Sequence, residues 1–283
     1  MRPSVNRFGL LMILLVLVPA TASAEKYDIN YNRLATVTSN ANGVTVQKNE
    51  VAFENLVRDI GIGLAPKFMG PASTLGALGF DVAYEMGWTD INESEDYWAK
   101  ALDGESADSM LTTSQLHIRK GLPFSMEIGG TLGHLHNSGI WTVGMDVKYA
   151  LLEGFRVLPD FAIRSNIHTV LGSNDVHILL TGGDAILSKE FGLGGLFRVA
   201  PFVGYNLVYV YGSSHQITFF TPDCDNGGGQ GLCSKVDLFD DVGVFEHRGI
   251  VGLQIVAAYI SLGSEIAIGN KIRTYTGHVG VDF

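Results

Sequence analysis

The feature that most constrains this chain is a two-residue alternation sustained over segments of about ten residues. Every second residue from Leu78 to Trp88 is apolar, and the residues between them are acidic or small. Similar alternations occupy residues 141–149 and 197–211, and the last ten residues, TYTGHVGVDF, end on Phe283. Successive side chains of a strand point to opposite faces. Each segment therefore predicts a strand with one apolar face and one face that is polar or rich in glycine.

The length of these segments distinguishes between two all-β architectures. Strands in soluble sandwiches average about five or six residues, whereas strands of about ten residues with one apolar face are typical of transmembrane barrels. Lipid accepts the apolar face, and closure removes the edges that lipid could not hydrogen-bond. The chain is 46% hydrophobic and contains 35 glycines. We therefore predict an all-β fold, a transmembrane antiparallel up-and-down β-barrel.

The alternations and the turns between them predict ten strands, an even number as bacterial barrels require. These are 74–89, 111–119, 124–133, 140–151, 158–169, 176–188, 196–211, 248–258, 261–269 and 273–283. Tight connections at 120–124, 151–156 and 189–195 fall on the periplasmic side, where short turns are expected. The acidic stretch 90–109 and the cysteine-bearing stretch 212–246 then fall outside.

The first 24 residues have the pattern of a secretory signal peptide. Arg2 and Arg7 precede the apolar run 8–18, and Ala22-Ser23-Ala24 provides a small-residue cleavage site. The run is too short to span a membrane as a helix. We expect cleavage after Ala24 and a mature chain that begins at Glu25.

Residues 25–73 precede the predicted barrel, 74–283, as a periplasmic or lumen-capping segment. Within VAFENLVRDIGIGLAP, apolar residues recur at helical spacing from Phe53 to Leu64, and Pro66 would end a helix there. Short apolar runs are ambiguous, so the alternative is that this stretch is itself a strand, which gives a twelve-stranded barrel with another strand near 43–49.

The charge of the mature chain excludes one class of partner. Without Arg2 and Arg7 the 19 basic residues become 17, which against 29 acidic residues gives a formal charge of −12. Nucleic acid binding requires a basic face. No nucleic acid partner is therefore expected.

The inward faces of the predicted strands carry charges of both signs. The predicted lumen residues are Asp81, Glu85, Arg119, Glu127, Asp146, Lys148, Arg164, His168, Arg198, Glu265 and His278, with Asn166 and Gln254 beside them. Barrels of this size are nearly filled by side chains, and buried charges need partners. One interpretation is a salt-bridged core, and the other is a constricted polar pathway for small solutes.

The outer rim could instead carry chemistry. His134 and His136 lie two residues apart, and we expect His168, Asp175 and His177 near the next rim, so these residues could form a hydrolytic or metal cluster. No nucleophile motif such as G-x-S-x-G occurs. We therefore assign no catalytic residue, no metal ligand and no cofactor.

Two cysteines, Cys224 and Cys233, flank a glycine-rich loop. In an oxidising compartment this spacing favours a local disulfide. Two free thiols, or half of a metal site, are the alternatives.

Taken together, the leader, the repeated alternating strands and the terminal strand ending on Phe283 resemble bacterial outer-membrane β-barrels over roughly residues 74–283. The resemblance implies a Gram-negative cell envelope and contact with outer-membrane lipid and lipopolysaccharide. It also implies that Tyr275 and Phe283 belong to a signal read by the barrel-assembly machinery. For function it implies a structural role or porin-like passage of small solutes. A rim-active hydrolase or a surface binding or adhesion protein is the alternative.

Overall fold

A computed structural model describes residues 25–40, 43–173, 175–193, 197–218 and 235–283. The leader prediction falls on residues 1–24 and so lies outside the described residues. The strands, in chain order, are β1 Ala35–Asn40, β2 Gly43–Lys48, β3 Phe80–Asp90, β4 Met110–Leu122, β5 Met126–Leu135, β6 Trp141–Leu152, β7 Asp160–Leu171, β8 Val176–Ser188, β9 Phe191–Leu193, β10 Phe197–Ser214, β11 Gln216–Thr218, β12 Lys235–Asp237, β13 Val242–Ala257, β14 Ile260–Ile268 and β15 Arg273–Asp282. The helices are a 3₁₀ turn at Tyr31–Leu34, α1 Glu50–Leu64 and α2 Asp96–Ala101.

Ten of these strands form one closed antiparallel ring. Consecutive neighbours pair from β3 through β8 to β10, and then β13, β14 and β15 follow. The ring closes because β15 pairs with β3, from Thr274 opposite Thr89 to Asp282 opposite Asp81. Closure leaves no unpaired edge on the barrel strands. The predicted ten-stranded barrel is therefore confirmed.

Two strand boundaries differ from the sequence prediction by six residues, and the others differ by three residues or fewer. The first barrel strand begins at Phe80 rather than at residue 74, because Gly76 has φ +74° and residues 76–79 form a turn. The strand predicted to begin at residue 248 begins at Val242, because its first residues pair with the upper part of β10, where Val242 lies opposite Gly212. The alternation in the sequence did not mark either limit.

The segment before the barrel is helical where the apolar spacing indicated a helix. The side chain of Asn49 accepts a hydrogen bond from the Ala52 N–H at 3.1 Å and so caps α1. The twelve-stranded alternative is wrong. A strand does occupy residues 43–48, but it pairs with β1 in a separate two-stranded sheet rather than with the barrel.

The barrel has apolar side chains outside and charged side chains inside. On β6, Met145 is 60% exposed, while its neighbours Asp146 and Lys148 are buried. This inverts the distribution of a soluble domain and matches a barrel surrounded by lipid. Aromatic residues lie near both ends of the outer surface, as interfacial girdles do: Trp88, Trp141 and Tyr209 at one end, and Tyr149, Phe197 and Phe283 at the other.

The two ends of the barrel differ in their connections. The turn end carries the short connections 123–125, 153–159 and 258–259, together with the C-terminus. The loop end carries the longer connection 91–109, which contains α2, and the described residues 215–218 and 235–241 between β10 and β13. In the described part of the chain, no helix is both long enough and apolar enough to cross a membrane.

Candidate functional site: the occupied lumen

Helix α1 fills the half of the lumen next to the loop end. Phe53, Leu56 and Ile60 of α1 are fully buried, and the ring of Phe53 stacks on Phe239 with centroids 4.4 Å apart. The helix lies close to the wall at Gly61, where an added Cβ would lie 2.5 Å from a methyl group of Val210. Apolar residues of the wall and of the helix thus form one core in this half.

An extended stretch, residues 65–75, continues from α1 and is here called the lumen segment. Its backbone bonds to the barrel wall rather than to itself. Six of its N–H groups donate to wall side chains: Lys67 to Gln115 Oε1 at 3.3 Å, Phe68 to Glu85 Oε2 at 3.3 Å, Met69 to Glu265 Oε2 at 2.6 Å, Ala72 to Ser188 Oγ at 2.9 Å, Thr74 to Glu153 Oε2 at 2.9 Å and Leu75 to Glu127 Oε2 at 3.2 Å.

Cations of the wall bind carbonyl groups of the same segment. Arg164 Nη1 donates to the Phe68 carbonyl at 3.1 Å, and Lys148 Nζ donates to the carbonyls of Pro71 and Ser73 at 3.4 and 3.1 Å. Buried backbone groups that lack partners are costly. The charged wall therefore supplies the hydrogen bonds that an extended chain inside a barrel cannot make alone.

Aromatic rings cross the middle of the lumen and form an apolar layer, here called the septum. The ring of Phe68 stacks on His278 with centroids 4.2 Å apart and meets Phe202 edge-on at 5.6 Å. Met69 and Ala72 of the lumen segment belong to the same buried cluster. Gly263 of β14 makes room for the Phe68 ring, because an added Cβ there would overlap the ring carbon Cζ.

Around the septum, acidic and histidine side chains form a first network. His117 Nε2 lies 2.9 Å from Asp146 Oδ2, and its Nδ1 lies 3.2 Å from Glu85 Oε1. His278 Nδ1 lies 3.4 Å from the same Glu85 oxygen. Because Glu85 also accepts the Phe68 N–H, the network connects four strands, β3, β4, β6 and β15, to the lumen segment.

A second network is built on arginine. Arg164 Nε donates to Asp184 Oδ2 at 2.6 Å, and Asp184 also accepts from the amide of Asn206. Arg248 Nε donates to Asn206 Oδ1 at 2.7 Å. The two guanidinium groups are thus held by one carboxylate and one amide between strands β7, β8, β10 and β13.

A third network lies toward the turn end. Arg119 donates twice to Asp81 Oδ1, at 3.1 and 2.9 Å, and lies 3.7 Å from Glu127. Lys148 Nζ forms an ion pair with Glu127 at 3.1 Å. Beside these pairs lies a polar cavity of about 280 Å³, which the lumen segment borders on one side.

The predicted lumen residues separate into two groups. Ten of them are buried inside the barrel: Asp81, Glu85, Arg119, Glu127, Asp146, Lys148, Arg164, His168, Glu265 and His278. Arg198 instead lies half-exposed at the turn-end mouth, 3.2 Å from Asp282 and 3.8 Å from Glu190. His168 contacts Thr131 rather than a carboxylate.

The sequence reasoning missed His117, Asp184 and Arg248, which are central to two networks. Each occupies an inward position of its strand, so the same alternation that identified their neighbours would have identified them. Lys67 was missed for another reason: it lies on the lumen segment, which has no alternation to reveal its buried side chain.

The outer-rim histidines are not assembled as a hydrolytic or metal cluster. His134 Nε2 bonds to the Ser138 carbonyl at 2.9 Å, and His136 Nε2 bonds to Ser114 Oγ at 3.1 Å. His168 faces the lumen, whereas His177 lies on the outer face of β8. Among the described residues, no group of three or more potential ligands could hold a metal ion.

Two further predictions have different outcomes. Cys224 and Cys233 lie outside the described residues, so the disulfide stays a prediction. Tyr275 is partly exposed on the outer face of β15, and Phe283 is exposed at the turn end. The backbone of Phe283 pairs with Phe80 through two hydrogen bonds, at 2.8 and 3.1 Å, which join the C-terminus to the first barrel strand.

The cap, defined as residues 25–40 and 43–49, covers the loop end. The Tyr27 N–H donates to the Asn137 carbonyl at 2.8 Å, and Lys26 forms an ion pair with Asp108 at 2.6 Å. Lys48 lies 3.5 Å from Asp240. The cap therefore contacts three different loops of the barrel.

Helix α2 binds α1 through a buried carboxylate. Asp59 of α1 accepts from Tyr97 Oη at 2.8 Å and from Trp98 Nε1 at 3.3 Å. Burial raises the pKa of the Asp59 carboxyl, while the hydrogen bonds and the nearby Arg58 oppose that rise.

No family model matches this sequence, and no curated protein matches it. Among solved structures it is similar to the KdgM porin, with 9% identity over 72% of this chain and 99% of that one and a TM-score of 0.34. It is also similar to the translocator domain of the autotransporter NalP from Neisseria meningitidis (10% identity, 82% and 96% coverage, TM-score 0.32). A third match is Ail of Yersinia pestis (11% identity, 73% and 99% coverage, TM-score 0.27). Similarities at this level carry no argument about what the chain binds or transports.

Proposed function

We propose that this chain, which has the architecture of a bacterial outer-membrane β-barrel, is closed by its own N-terminal region and anchors the cap at the cell surface. The proposal selects the structural and surface-binding roles over open passage of solutes. In this role the outer surface contacts membrane lipid and lipopolysaccharide, and the terminal strand with Phe283 is the part that the assembly machinery reads.

The observation that carries the proposal is the bonding of the lumen segment. Nine of its backbone groups bind wall side chains, so the segment is held along its length rather than at one contact. Each neutral bond contributes about 0.5–1.5 kcal/mol, and bonds to charged groups contribute more. Removing the segment would also leave the charged side chains without these partners.

The expected orientation of the barrel supports a position of the cap outside the cell. Short turns face the periplasm in barrels of this kind, and long loops face outward. The cap lies on the loops, at Asn137, Asp108 and Asp240, whereas Phe283 lies at the turn end. The two ends of the mature chain are therefore expected on opposite sides of the membrane.

Epitope accessibility tests this orientation. A tag placed directly before Glu25, after the expected cleavage site, should bind antibody on intact cells. A matched tag in the turn 153–159 should bind only after the outer membrane is opened. If the Glu25 tag were hidden on intact cells and exposed only after opening, the surface-anchor role would be excluded.

Solute passage is the second candidate, and the polar cavity at the turn end favours it. The septum separates that cavity from the loop half of the lumen. Purified protein in planar bilayers should show no steady conductance, whereas Phe68→Ala, which removes the septum ring that contacts both His278 and Phe202, should show brief openings. An outer-face control, Phe245→Ala, should stay closed. Steady conductance of the unmodified chain, equal to that of Phe68→Ala, would overturn the closed state and favour a porin-like role.

A further inference from the structure

The turns at the turn end have exposed apolar residues at their tips, unlike the turns of an ordinary water-facing surface. Leu78 is 94% exposed, Phe124 is 88% exposed and Val157 is 87% exposed. Further exposed apolar side chains continue around the same end: Phe155, Leu158, Phe191, Tyr259 and Phe283. Every connection described there thus carries at least one apolar residue. Soluble proteins rarely leave apolar patches of this extent in contact with water.

The backbone of these turns is largely satisfied from within the protein. Lys120 Nζ donates to the carbonyls of Ala77 and Gly79 at 3.2 and 3.0 Å. Lys189 Nζ donates to the carbonyls of Phe155 and Leu158, the latter at 2.6 Å. Two lysines thus cover four turn carbonyls that water would otherwise hydrate.

Main-chain bonds satisfy other carbonyl groups of the same turns. The Ala150 N–H donates to the Ser125 carbonyl at 2.9 Å, and the Asp282 N–H donates to the Tyr259 carbonyl at 2.8 Å. In a turn that faces water, solvent can satisfy any carbonyl that lacks an internal donor. A turn that lies in lipid needs internal donors, because unsatisfied backbone groups there cost several kcal/mol each.

The charged side chains of the turn end are mostly occupied or directed inward. Arg198 pairs with Asp282 and Glu190, and Glu153 accepts from Thr74. Arg156 is exposed on the tip 153–159 and has no ion pair among the described residues. An arginine at this depth is well suited to bind a lipid phosphate.

We propose that the turn end is a lipid-binding surface, immersed in the periplasmic leaflet as far as the tips of its turns. The partner is a phospholipid leaflet, because the apolar tips are continuous with the lipid-facing outer surface of the strands. Acyl chains and glycerol backbones contact Leu78, Phe124 and Val157. The phosphates lie level with Arg156 and with the two turn lysines, so the barrel presents little protein to the periplasm on this side.

Depth-dependent quenching of introduced tryptophan tests the proposal on the full chain in phosphatidylcholine vesicles. Leu78→Trp, Phe124→Trp and Val157→Trp each add one indole to a constant background of three tryptophans. Glu105→Trp, on an exposed loop-end position, is the matched control. Bromines on the acyl chains quench indoles that lie in lipid, and they report on both vesicle orientations equally.

We expect acyl-chain bromines to remove most of the added fluorescence at the three turn positions, with shallow bromines more effective than deep ones. Aqueous iodide should quench only the Glu105→Trp control. Iodide quenching without bromolipid quenching at the turn positions would show that the tips project into water, and the proposal would fail. Protection from both quenchers together with cross-linked dimers would assign the surface to a second copy of the chain and would also overturn it.

Discussion

The two halves of the lumen are filled in opposite ways. Near the loop end, α1 satisfies its own backbone and presents apolar side chains such as Ile60 to apolar wall residues such as Val210. Beyond Leu64 the chain is extended, and the wall becomes charged, with Glu85, Glu265 and Arg164 directed at backbone groups. The polarity of the wall thus follows the hydrogen-bonding needs of the chain that it encloses.

The largest loss of stability is expected from removing one buried charge in the half of the lumen that encloses the extended segment. Arg164→Met would leave Asp184 without its guanidinium partner and the Phe68 carbonyl without a donor. Loss of one partner of a buried pair costs about 3–5 kcal/mol. We expect a decrease of that size in the free energy of unfolding, measured by urea titration in lipid vesicles.

The control is Arg198→Met, since Arg198 pairs at a half-exposed site. Its loss should cost less than about 1 kcal/mol. Equal effects of the two substitutions would contradict the distinction between the occupied lumen and its mouth.

The helical half should respond to volume rather than to charge. Phe53→Ala removes a ring that is fully buried and stacked on Phe239, and truncation of such rings costs about 3 kcal/mol or more. Val51 lies two residues before Phe53, on the exposed side of α1. Val51→Ala should therefore lower the free energy of unfolding by less than about 0.5 kcal/mol. The same titration measures both, and a large effect of Val51→Ala would show that α1 buries a different face.

A methyl group added at the septum should have an intermediate effect. At Gly263→Ala the new Cβ would overlap the Phe68 ring, and overpacking of this kind typically costs about 1–3 kcal/mol. At Gly130 of β5 an added Cβ meets nothing within 4 Å. Gly130→Ala should therefore leave the midpoint of urea unfolding nearly unchanged, and a matching loss at both sites would point to strand propensity instead of ring packing.

The smallest expected effect concerns pH and the contact between α1 and α2. Because burial raises the folded-state pKa of Asp59, its contribution is fully present below the unfolded pKa and is lost as pH rises through the folded value. Asp59→Asn keeps an oxygen for Tyr97 but does not titrate. The free energy of unfolding of the native chain minus that of Asp59→Asn, from urea titrations at each pH, should therefore decrease as the pH rises from acid toward neutral. A difference that increased over this range would mean that the bonds from Tyr97, Trp98 and Arg58 outweigh burial.

The barrel wall could be predicted from the sequence because lipid and lumen impose opposite polarity on alternate residues. The pattern from Leu78 to Trp88 identified β3, and the same pattern placed eight charged residues and two histidines inside. The start of the strand was harder to predict. Because Leu78 is apolar, the alternation extends to residues that precede Phe80, where β3 begins.

The path of residues 65–75 could not be predicted. An extended chain whose bonds go to side chains on several strands has no period of its own. The sequence predicts that the inward charges pair with one another, and some do, as Arg119 does with Asp81, the residue opposite it on the neighbouring strand. Others, including Glu265, are used by the backbone of a segment distant in sequence.

The position of that segment has a consequence for how the molecule can change state. The lumen segment continues into β3 at the turn end of the barrel and, through α1, into the cap at the loop end. The chain is therefore threaded through its own closed sheet. A separate stopper could dissociate into solution, but a threaded segment cannot. Any opening of the pathway therefore has to come from sideways displacement within the ring or from separation of two strands, and complete withdrawal requires the cap and α1 to unfold first.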